Sequence, residues 1–193
     1  MDRNQELALV ARLTRADCGA FDELYTAFHP RLFTFLARLS RRREVAEDLV
    51  EETWLRVVAH APRLRTDTRL APWLFTIARN LYVSYCRSRA LDYDALAGVH
   101  LWSAPPSGPT PFEVAAAGEL QQRVDAALAT LPAPCREVLL LVAVEGLTPA
   151  EAAVVCGVTQ ETMRQRLKRA RDLLAKRLDV SAARSIVLNE VLP

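Results

Sequence analysis

Residues 148–178 read TPAEAAVVCGVTQETMRQRLKRARDLLAKRL, and the organisation of the whole chain can be worked out from this stretch. Thr148 and Glu151 have the T-x-x-E spacing of a capping box, and the proline between them suits the first position of a helix. Gly157 can adopt the left-handed conformation that closes this helix, and Thr159 can cap the next one. Two helices joined by a three-residue turn are typical of a helix-turn-helix.

The second helix of this motif is amphipathic and basic. One face is apolar at spacings of three and four, through Met163, Leu167, Ala170, Leu174 and Leu178. At about 100° per residue, the opposite face holds Glu161, Gln165, Lys168, Arg169 and Asp172, with Arg164 and Arg171 on its flank. Residues 157–178 include seven basic and two acidic side chains, a net charge of +5 against +2 for the whole chain. Such a concentration of charge predicts contact with phosphates, and the alternative is a solvated helix in an ordinary bundle.

Length and composition indicate a globular protein. The 193 residues are 51% hydrophobic, and no apolar run reaches the ~18 residues that a membrane helix needs. The first ten residues carry acids and lack the pattern of a signal peptide. We therefore predict a cytoplasmic protein.

Neither the cysteines nor the histidines form a recognisable site. Cys18, Cys86, Cys135 and Cys156 lie far apart, no C-x-x-C occurs, and the three histidines show no ligand spacing with them. We predict reduced, mostly buried thiols rather than a zinc site or a disulfide framework. The G-x-x-x-x-G-K-[ST], G-x-S-x-G and H-E-x-x-H motifs do not occur, so no metal, cofactor or enzymatic activity is predicted.

Helical periodicity also runs through the first half of the chain. Residues 4–15, 21–39, 44–60 and 72–85 each predict a helix, and Pro30 predicts a break or kink in the second of them. A basic loop precedes the fourth helix and contains Arg63, Arg65 and Arg69. Trp73 lies on an apolar stripe, which predicts that it is mostly buried, although rings beside arginines can also stack on single-stranded bases.

The helix at residues 44–60 has an apolar and an acidic face. Its buried stripe is predicted to be Val45, Leu49, Thr53 and Val57, and its other face carries Glu47, Asp48, Glu51 and Glu52. An acidic face is usually only solvated, so this one is of interest only if a basic partner exists.

Composition divides the chain into parts. Residues 90–122 contain no Lys or Arg and hold four prolines, which predicts an extended linker. We predict an all-α fold with two small helical domains at residues 1–90 and 118–179, a flexible linker at 91–117 and a tail at 180–193. The second domain begins with two further predicted helices before the helix-turn-helix, separated by a turn at Pro132 and Pro134.

Three blocks of sequence together resemble the extracytoplasmic-function (ECF) sigma factors of bacterial RNA polymerase, which are group 4 of the sigma-70 family. They are FDELYTAFHPRL (21–32) with AEDLVEETWLRV (46–57), PWLFTIARNL (72–81), and LPAPCREVLLL (131–141) running into EAAVVCGV (151–158) and RLKRARDLL (166–174). The blocks stand in the order and spacing of that family. EAAVVCGV also resembles the general-stress subgroup.

The resemblance implies a transcription initiation factor of the stress response, with core RNA polymerase, promoter DNA and an anti-sigma factor as partners. It implies that region 2 binds the polymerase clamp helices through Asp48, Leu49, Glu51, Glu52 and Trp54. It implies that region 2 also reads single-stranded −10 DNA through Arg63, Arg65, Arg69, Trp73, Arg79, Asn80 and Arg87. It implies that region 4 reads the −35 duplex through Thr159, Gln160, Glu161, Thr162, Arg164, Gln165, Lys168 and Arg169.

The sequence departs from the family pattern at three places. Glu51 stands where the family usually has Gln, and Ser84 stands where Asp is common. The recognition helix usually begins with GTV, whereas here Glu161 opens the corresponding ETM. A carboxylate there can accept a hydrogen bond from cytosine or weaken contact with phosphates, which leaves promoter specificity open.

Two other interpretations remain at this stage. A one-component regulator would use the same helix-turn-helix without binding polymerase, and the acidic block at residues 46–57 argues against it. A sigma-like decoy would sequester an anti-sigma protein. Decoys usually carry a phosphorylatable α/β receiver domain, and no alternating strand pattern predicts one here.

Overall fold

The computed structural model describes the backbone of residues 2–94 and 118–191, with side chains for residues 2–90, 118 and 122–178. The described residues contain helices and no strand, which confirms the all-α prediction. The first domain contains α1 (Arg3–Leu13), α2 (Cys18–Ser40), α3 (Arg43–His60), a 3₁₀ turn (Ala61–Arg63) and α4 (Leu70–Asp94). The second contains α5 (Glu119–Ala129), α6 (Ala133–Leu139), a π-helical turn (Leu140–Val144), α7 (Pro149–Cys156) and α8 (Gln160–Val191).

The domain boundaries remain a prediction. Helix α4 continues to Asp94 and α8 to Val191, beyond the limits predicted at residues 90 and 179. Most of the predicted linker, residues 95–117, lies outside the described residues.

Helix α2 forms the centre of the first domain. Leu24, Leu32 and Leu36 are fully buried, and the Phe35 ring meets Phe75 of α4 edge to face, with centroids 5.2 Å apart. The predicted break at Pro30 is absent, because the helix is continuous from residue 18 to residue 40. A proline inside a helix costs about 3 kcal/mol, and the apolar side chains buried on both sides of Pro30 offset that cost.

The basic loop before α4 is held in place by α1. A carboxylate oxygen of Glu6 accepts a hydrogen bond from the backbone N–H of Leu70 at 2.7 Å, and the other lies 3.1 Å from Arg69 Nε. Arg3 donates to the carbonyl oxygens of Asp67 and Thr68. The loop is therefore held to α1 through its backbone and through Arg69, although the side chains of Arg63, Arg65 and Arg69 are exposed.

The helix-turn-helix forms as predicted. Thr148 and Glu151 make both hydrogen bonds of a capping box, Gly157 closes α7 at φ 64°, and the Thr159 hydroxyl accepts from the Thr162 N–H. The apolar stripe of α8 faces the core, where Met163 and Ala170 are fully buried and Leu167 nearly so. The helix predicted after the turn at Pro132 and Pro134 forms as an α-helix that widens into the π-helical turn before Glu145.

The two domains are in contact. Helix α4 packs on α7, and α2 lies against α5 and α6. Arg136 of α6 donates hydrogen bonds to the carbonyls of Leu128, Ala129 and Leu131 in its own domain, and to Leu39 at the end of α2 at 3.0 Å. A buried guanidinium therefore joins the second domain to the first.

We predict that Glu6→Ala destabilises the first domain by about 1–3 kcal/mol, because a buried backbone N–H and an arginine lose their acceptor together. Chemical denaturation of the wild type and the variant measures the difference. Glu23→Ala is the matched control, since Glu23 forms an exposed ion pair with Arg12 and should leave the unfolding free energy unchanged. Equal stability of all three proteins would contradict the bracing role of Glu6.

Candidate nucleic-acid interface

The first half of α8 presents an exposed polar face. Seven of the eight residues predicted for −35 recognition are exposed and only Thr162 is half-buried; the seven are Thr159, Gln160, Glu161, Arg164, Gln165, Lys168 and Arg169. Because Met163, Leu167 and Ala170 are buried on the opposite side, the helix can lie on a duplex without disturbing its own core.

Glu161, the departure from the family pattern, has two partners on the same helix. Its Oε1 accepts a hydrogen bond from Gln165 Nε2 at 3.1 Å, and its Oε2 lies 3.7 Å from Arg164 Nη1. Both neighbours are predicted DNA contacts. The carboxylate therefore holds Gln165 and Arg164 near the amino end of the helix, where the helix dipole also favours a negative charge.

A groove of about 360 Å³ lies between α7 and α8. It is lined by Pro149 and Leu167 and by four charged residues, Arg164, Lys168, Arg171 and Asp172. Three cations along the flank of the recognition helix are suited to the phosphates that border a DNA groove.

A second, smaller cavity of about 160 Å³ lies where the end of α3 meets α4. It is lined by Trp73 and Asn80, both predicted for −10 DNA, and by Ile77, Arg56 and His60. Sequence reasoning missed Arg56 and His60. Arg56 and His60 are four residues apart, so they lie on the same side of α3. Nothing in the sequence indicated that α4 crosses α3 at this point. The cavity combines a ring, an amide and a guanidinium, which can contact a base.

The predicted −10 arginines separate into two groups. Arg63, Arg65 and Arg87 are exposed. Arg65 donates two hydrogen bonds to the Asp67 carboxylate, at 3.0 and 3.1 Å, and this contact lowers the pKa of Asp67. Arg79, with 20% of its side chain exposed, and Arg69, with 56% exposed, contact carboxylates of the second domain. Arg79 Nε lies 2.9 Å from Glu137 Oε1, and Arg69 Nη2 lies 3.4 Å from Glu151 Oε1. The structure therefore does not bring all seven residues onto one open surface.

The acidic helix α3 has an exposed stripe that combines charge with apolar area. Asp48 and Glu51 are exposed, Glu52 is half-buried, and Leu55 and Val58 continue the same face with 67% and 55% of their surface exposed. Sequence reasoning missed the last two, although Leu55 follows Glu51 by four residues and Val58 follows Leu55 by three. Exposed apolar side chains rimmed by charges are typical of a protein interface.

Two residues predicted to bind polymerase are buried instead. Leu49 and Trp54 have 8% and 7% of their surface exposed. The Trp54 indole packs against Phe21 and Tyr25 and donates a hydrogen bond to His29 Nδ1 at 3.2 Å. Leu49 lies on the core stripe of α3 and Trp54 at its margin, and their part in polymerase binding stays a prediction. Leu49 and Trp54 anchor α3 in the core of the first domain, and the exposed residues beside them form the stripe described above.

None of the four cysteines is paired in a disulfide, and two of them are buried where the sequence predicts mostly buried thiols. Cys18 is exposed, whereas Cys135 and Cys156 are buried and Cys86 is half-buried. Burial raises the pKa of Cys86, and it raises that of Cys156 to about 12, so both are neutral thiols at physiological pH. Among the described residues, no helix combines the length and the hydropathy needed to span a membrane.

An exposed basic recognition helix and a separate helical domain with an aromatic, polar cavity define a two-domain DNA-binding protein. Residues 24–91 match the family Sigma-70 region 2, and residues 121–174 match Sigma-70 region 4. The ECF RNA polymerase sigma factor EcfG of Rhodopseudomonas palustris (strain TIE-1) is 36% identical over 156 residues, covering 80% of this chain and 82% of that relative. The chain therefore belongs to the ECF sigma factors of RNA polymerase, which are transcription initiation factors, and the predicted resemblance is confirmed.

Other relatives agree with this assignment. The sigma factor CarQ of Myxococcus xanthus is 32% identical over 169 residues, covering 86% of this chain and 94% of CarQ. The solved structure of the sigma factor RpoE from Bartonella quintana, in complex with the anti-sigma factor NepR, matches with a TM-score of 0.70 and 31% identity. That match covers 83% of this chain and 97% of RpoE. CnrH in complex with the cytosolic domain of CnrY, at 23% identity and a TM-score of 0.66, shares the fold.

We predict that Lys168→Ala or Arg169→Ala relaxes selectivity at one position of the −35 element, because each side chain is exposed opposite the buried stripe of α8. Losing a base contact costs about 1–3 kcal/mol. Binding to a library of randomised −35 duplexes measures the effect. Lys176→Ala is the control, since it lies farther along the helix and should weaken binding evenly across sequences at most. Unchanged selectivity in both Lys168→Ala and Arg169→Ala would show that a different face of α8 meets the DNA.

Proposed function

We propose that this sigma factor holds core RNA polymerase through the exposed stripe of α3 and reads the −10 element at the cavity between α3 and α4. It reads the −35 element with the exposed face of α8. The observation that carries this proposal is that the surface for polymerase and the surface for −10 DNA are separate within one small domain. Helix α3 presents an acidic and apolar stripe along its length, and a cavity of about 160 Å³ lies at its end. A DNA-only regulator has no use for the stripe.

The α3 stripe is suited to a basic protein partner. Asp48 and Glu51 supply charge, while Leu55 and Val58 supply apolar area that water solvates poorly. In protein interfaces, apolar side chains at the centre contribute most of the affinity and charges at the rim select the partner. We therefore add Leu55 and Val58 to Asp48, Glu51 and Glu52 as the polymerase-binding residues.

The α3–α4 cavity is suited to a base that has left the double helix. Trp73 offers a stacking wall, since base–aromatic stacking contributes about 1–3 kcal/mol. The Asn80 amide can donate to and accept from a base edge, and Arg56 and His60 complete the lining. Arg63 and Arg65, on the loop that precedes α4, are exposed and carry positive charge that a single strand's phosphates can contact.

Regulation by an anti-sigma factor is part of the proposal. The related RpoE of B. quintana has been solved in complex with NepR, and it matches this chain at 31% identity over most of both chains. We propose that a protein of that functional class controls the present factor, and that both act in the cytoplasm, where RNA polymerase works.

The test of polymerase binding is the double variant Asp48→Lys with Glu51→Lys. We expect it to fold normally and to keep the duplex binding of its second domain, but to lose binding to core polymerase and promoter-directed transcription. The reason is that like charges placed together in an interface cost several kcal/mol, whereas the same reversal on a solvated face does little. Native pull-down with core polymerase and in vitro transcription measure both outcomes.

The matched control reverses two exposed acids on α2, Asp22→Lys with Glu23→Lys, which lie outside the proposed surfaces. It has the same change of net charge and should retain polymerase binding. If the α3 double variant transcribes as well as this control, α3 does not dock on the polymerase. A wild-type chain that never supports transcription would indicate a decoy.

For the −10 cavity we predict that Asn80→Ala blocks promoter opening while the closed complex still forms. Asn80 is exposed at the rim of the cavity, so its loss should leave the fold intact and remove only a contact to the flipped base. Permanganate reactivity of unpaired thymines reports opening, and gel shift reports the closed complex. Ser84→Ala, one helical turn further along α4, is the control; normal opening by Asn80→Ala would exclude its role.

A further inference from the structure

Helix α1 is anchored at one end and contacts the loop before α4 with the other. Leu9, Val10 and Leu13 are buried in the core of the first domain, with 2% or less of their surface exposed. A capping box fixes the first turn of the helix. From that turn, Arg3 and Glu6 make hydrogen bonds to backbone groups 64 or 65 positions later in the chain. The first turn of α1 therefore meets the loop from a fixed support.

Arg3 holds the backbone of the loop. Its Nη2 donates a hydrogen bond to the Asp67 carbonyl oxygen at 2.9 Å, and its Nη1 donates to the Thr68 carbonyl oxygen at 3.4 Å. Nη1 also donates to Glu6 Oε2 at 2.7 Å, and a planar guanidinium with five donors is suited to such bridging. The Asp67 carboxylate in turn accepts two hydrogen bonds from Arg65. The exposed Arg65 side chain is therefore linked to α1 through Asp67.

Glu6 fixes the start of α4. The Trp73 N–H donates to the Arg69 carbonyl oxygen at 3.1 Å, which puts Arg69 at the N-cap position, but an arginine side chain has no acceptor with which to cap a helix. Glu6 supplies the acceptor instead, at 2.7 Å from the Leu70 N–H and 3.1 Å from Arg69 Nε. The first amides of a helix lack partners within it and favour a nearby negative charge. Trp73, in the first turn of α4, is positioned by this contact.

We propose that Arg3 and Glu6 are positioning residues for −10 recognition, which hold residues 64–69 and the first turn of α4 in the arrangement that discriminates among −10 sequences. This inference rests on the proposed function, since it needs Arg65 and Trp73 to contact single-stranded DNA. Helix α1 lies before residues 24–91, which match Sigma-70 region 2. In this chain, the −10 surface of region 2 thus depends on two residues that precede the matched range.

The brace acts on discrimination more than on affinity. Contacts with phosphates tolerate small displacements and act alike on every sequence. Contacts with base edges require donors and acceptors held in place, and a flexible surface can re-pack around a wrong partner. A loop released from α1 keeps the positive charge of Arg63 and Arg65 but loses their fixed positions. Release should therefore make −10 binding less selective without abolishing it.

The test uses the full chain bound to core polymerase and two variants. Arg3→Gln frees the loop backbone and changes a side chain that is 39% exposed, so the fold should survive. Glu6→Gln keeps an oxygen for the Leu70 N–H but loses the charge that pairs with Arg69 and Arg3. The matched control is Arg15→Gln, which removes the same charge as Arg3→Gln from an exposed residue just beyond α1. Thermal unfolding establishes that every protein is folded.

Two measurements separate the brace from its consequence. Hydrogen exchange of residues 64–70 reports how firmly the loop is held. Selection of single strands from a pool randomised across the −10 positions, followed by sequencing, reports the preference for each base. We expect faster exchange in Arg3→Gln and Glu6→Gln than in the control. We also expect the enrichment ratio of the preferred base to fall roughly threefold to tenfold, since a well-placed base contact discriminates by roughly fivefold or more.

Selection of −35 duplexes should be unchanged in both variants, because α8 makes no contact with this loop in the proposal. Unchanged exchange in Arg3→Gln and Glu6→Gln overturns the brace. Faster exchange with the wild-type base preference overturns its role in recognition, as does an equal loss of binding to all single strands that Arg15→Gln reproduces. Loss of preference at both elements would indicate general unfolding and would also overturn it. The proposed function fails by a different result, a wild type with no base preference at −10.

Discussion

The carboxyl end of α2 is the point on which both domains depend. The last carbonyls of a helix have no partner within it and must find one elsewhere. At Leu39 the carbonyl oxygen accepts from the Tyr82 hydroxyl of α4 at 3.3 Å and from Arg136 of the second domain at 3.0 Å. The hydrogen bond from Tyr82 joins α2 to α4 within the region 2 domain. The hydrogen bond from Arg136 joins the region 4 domain to α2. The same helix supplies Arg31 and Arg38 to the interface, which it shares with α4, so α2 takes part both in the core of one domain and in the contact with the other.

The features that sequence alone predicted are those set by local chemistry. The capping box at Thr148, the closing glycine at residue 157 and the apolar stripe of α8 all depend on residues within four positions of one another, and each formed as predicted. Family resemblance then supplied the order of the two domains. Pro30 shows the limit of local rules, because packing that α2 makes with distant helices outweighs the preference of one residue.

The features that sequence did not predict depend on contacts between distant residues. The cavity that joins His60 to Trp73 requires the crossing of α3 and α4, and the pairing of Arg79 with Glu137 requires the docking of two domains. One signal was present: Arg136 and Glu137 are charged residues inside an otherwise apolar helix, and buried charges need partners. Helical spacing also places Leu55 on the exposed side of α3 and Leu49 on its buried side. Assignment by family resemblance did not make this distinction.

Opposite charges within each surface explain how a factor with a small net charge can bind DNA selectively. Glu161 lies among the arginines of α8, yet it accepts from Gln165 and pairs with Arg164, so its charge is partly compensated before DNA arrives. Side chains already held in place lose less conformational entropy on binding, which favours a defined contact over a general attraction to phosphates. Glu137 and Glu151 likewise pair with Arg79 and Arg69 of the first domain, at 2.9 and 3.4 Å. Acids placed beside the arginines predicted to contact DNA therefore limit nonspecific binding in two ways: they hold those arginine side chains in place, and they lower the local positive charge that attracts phosphates.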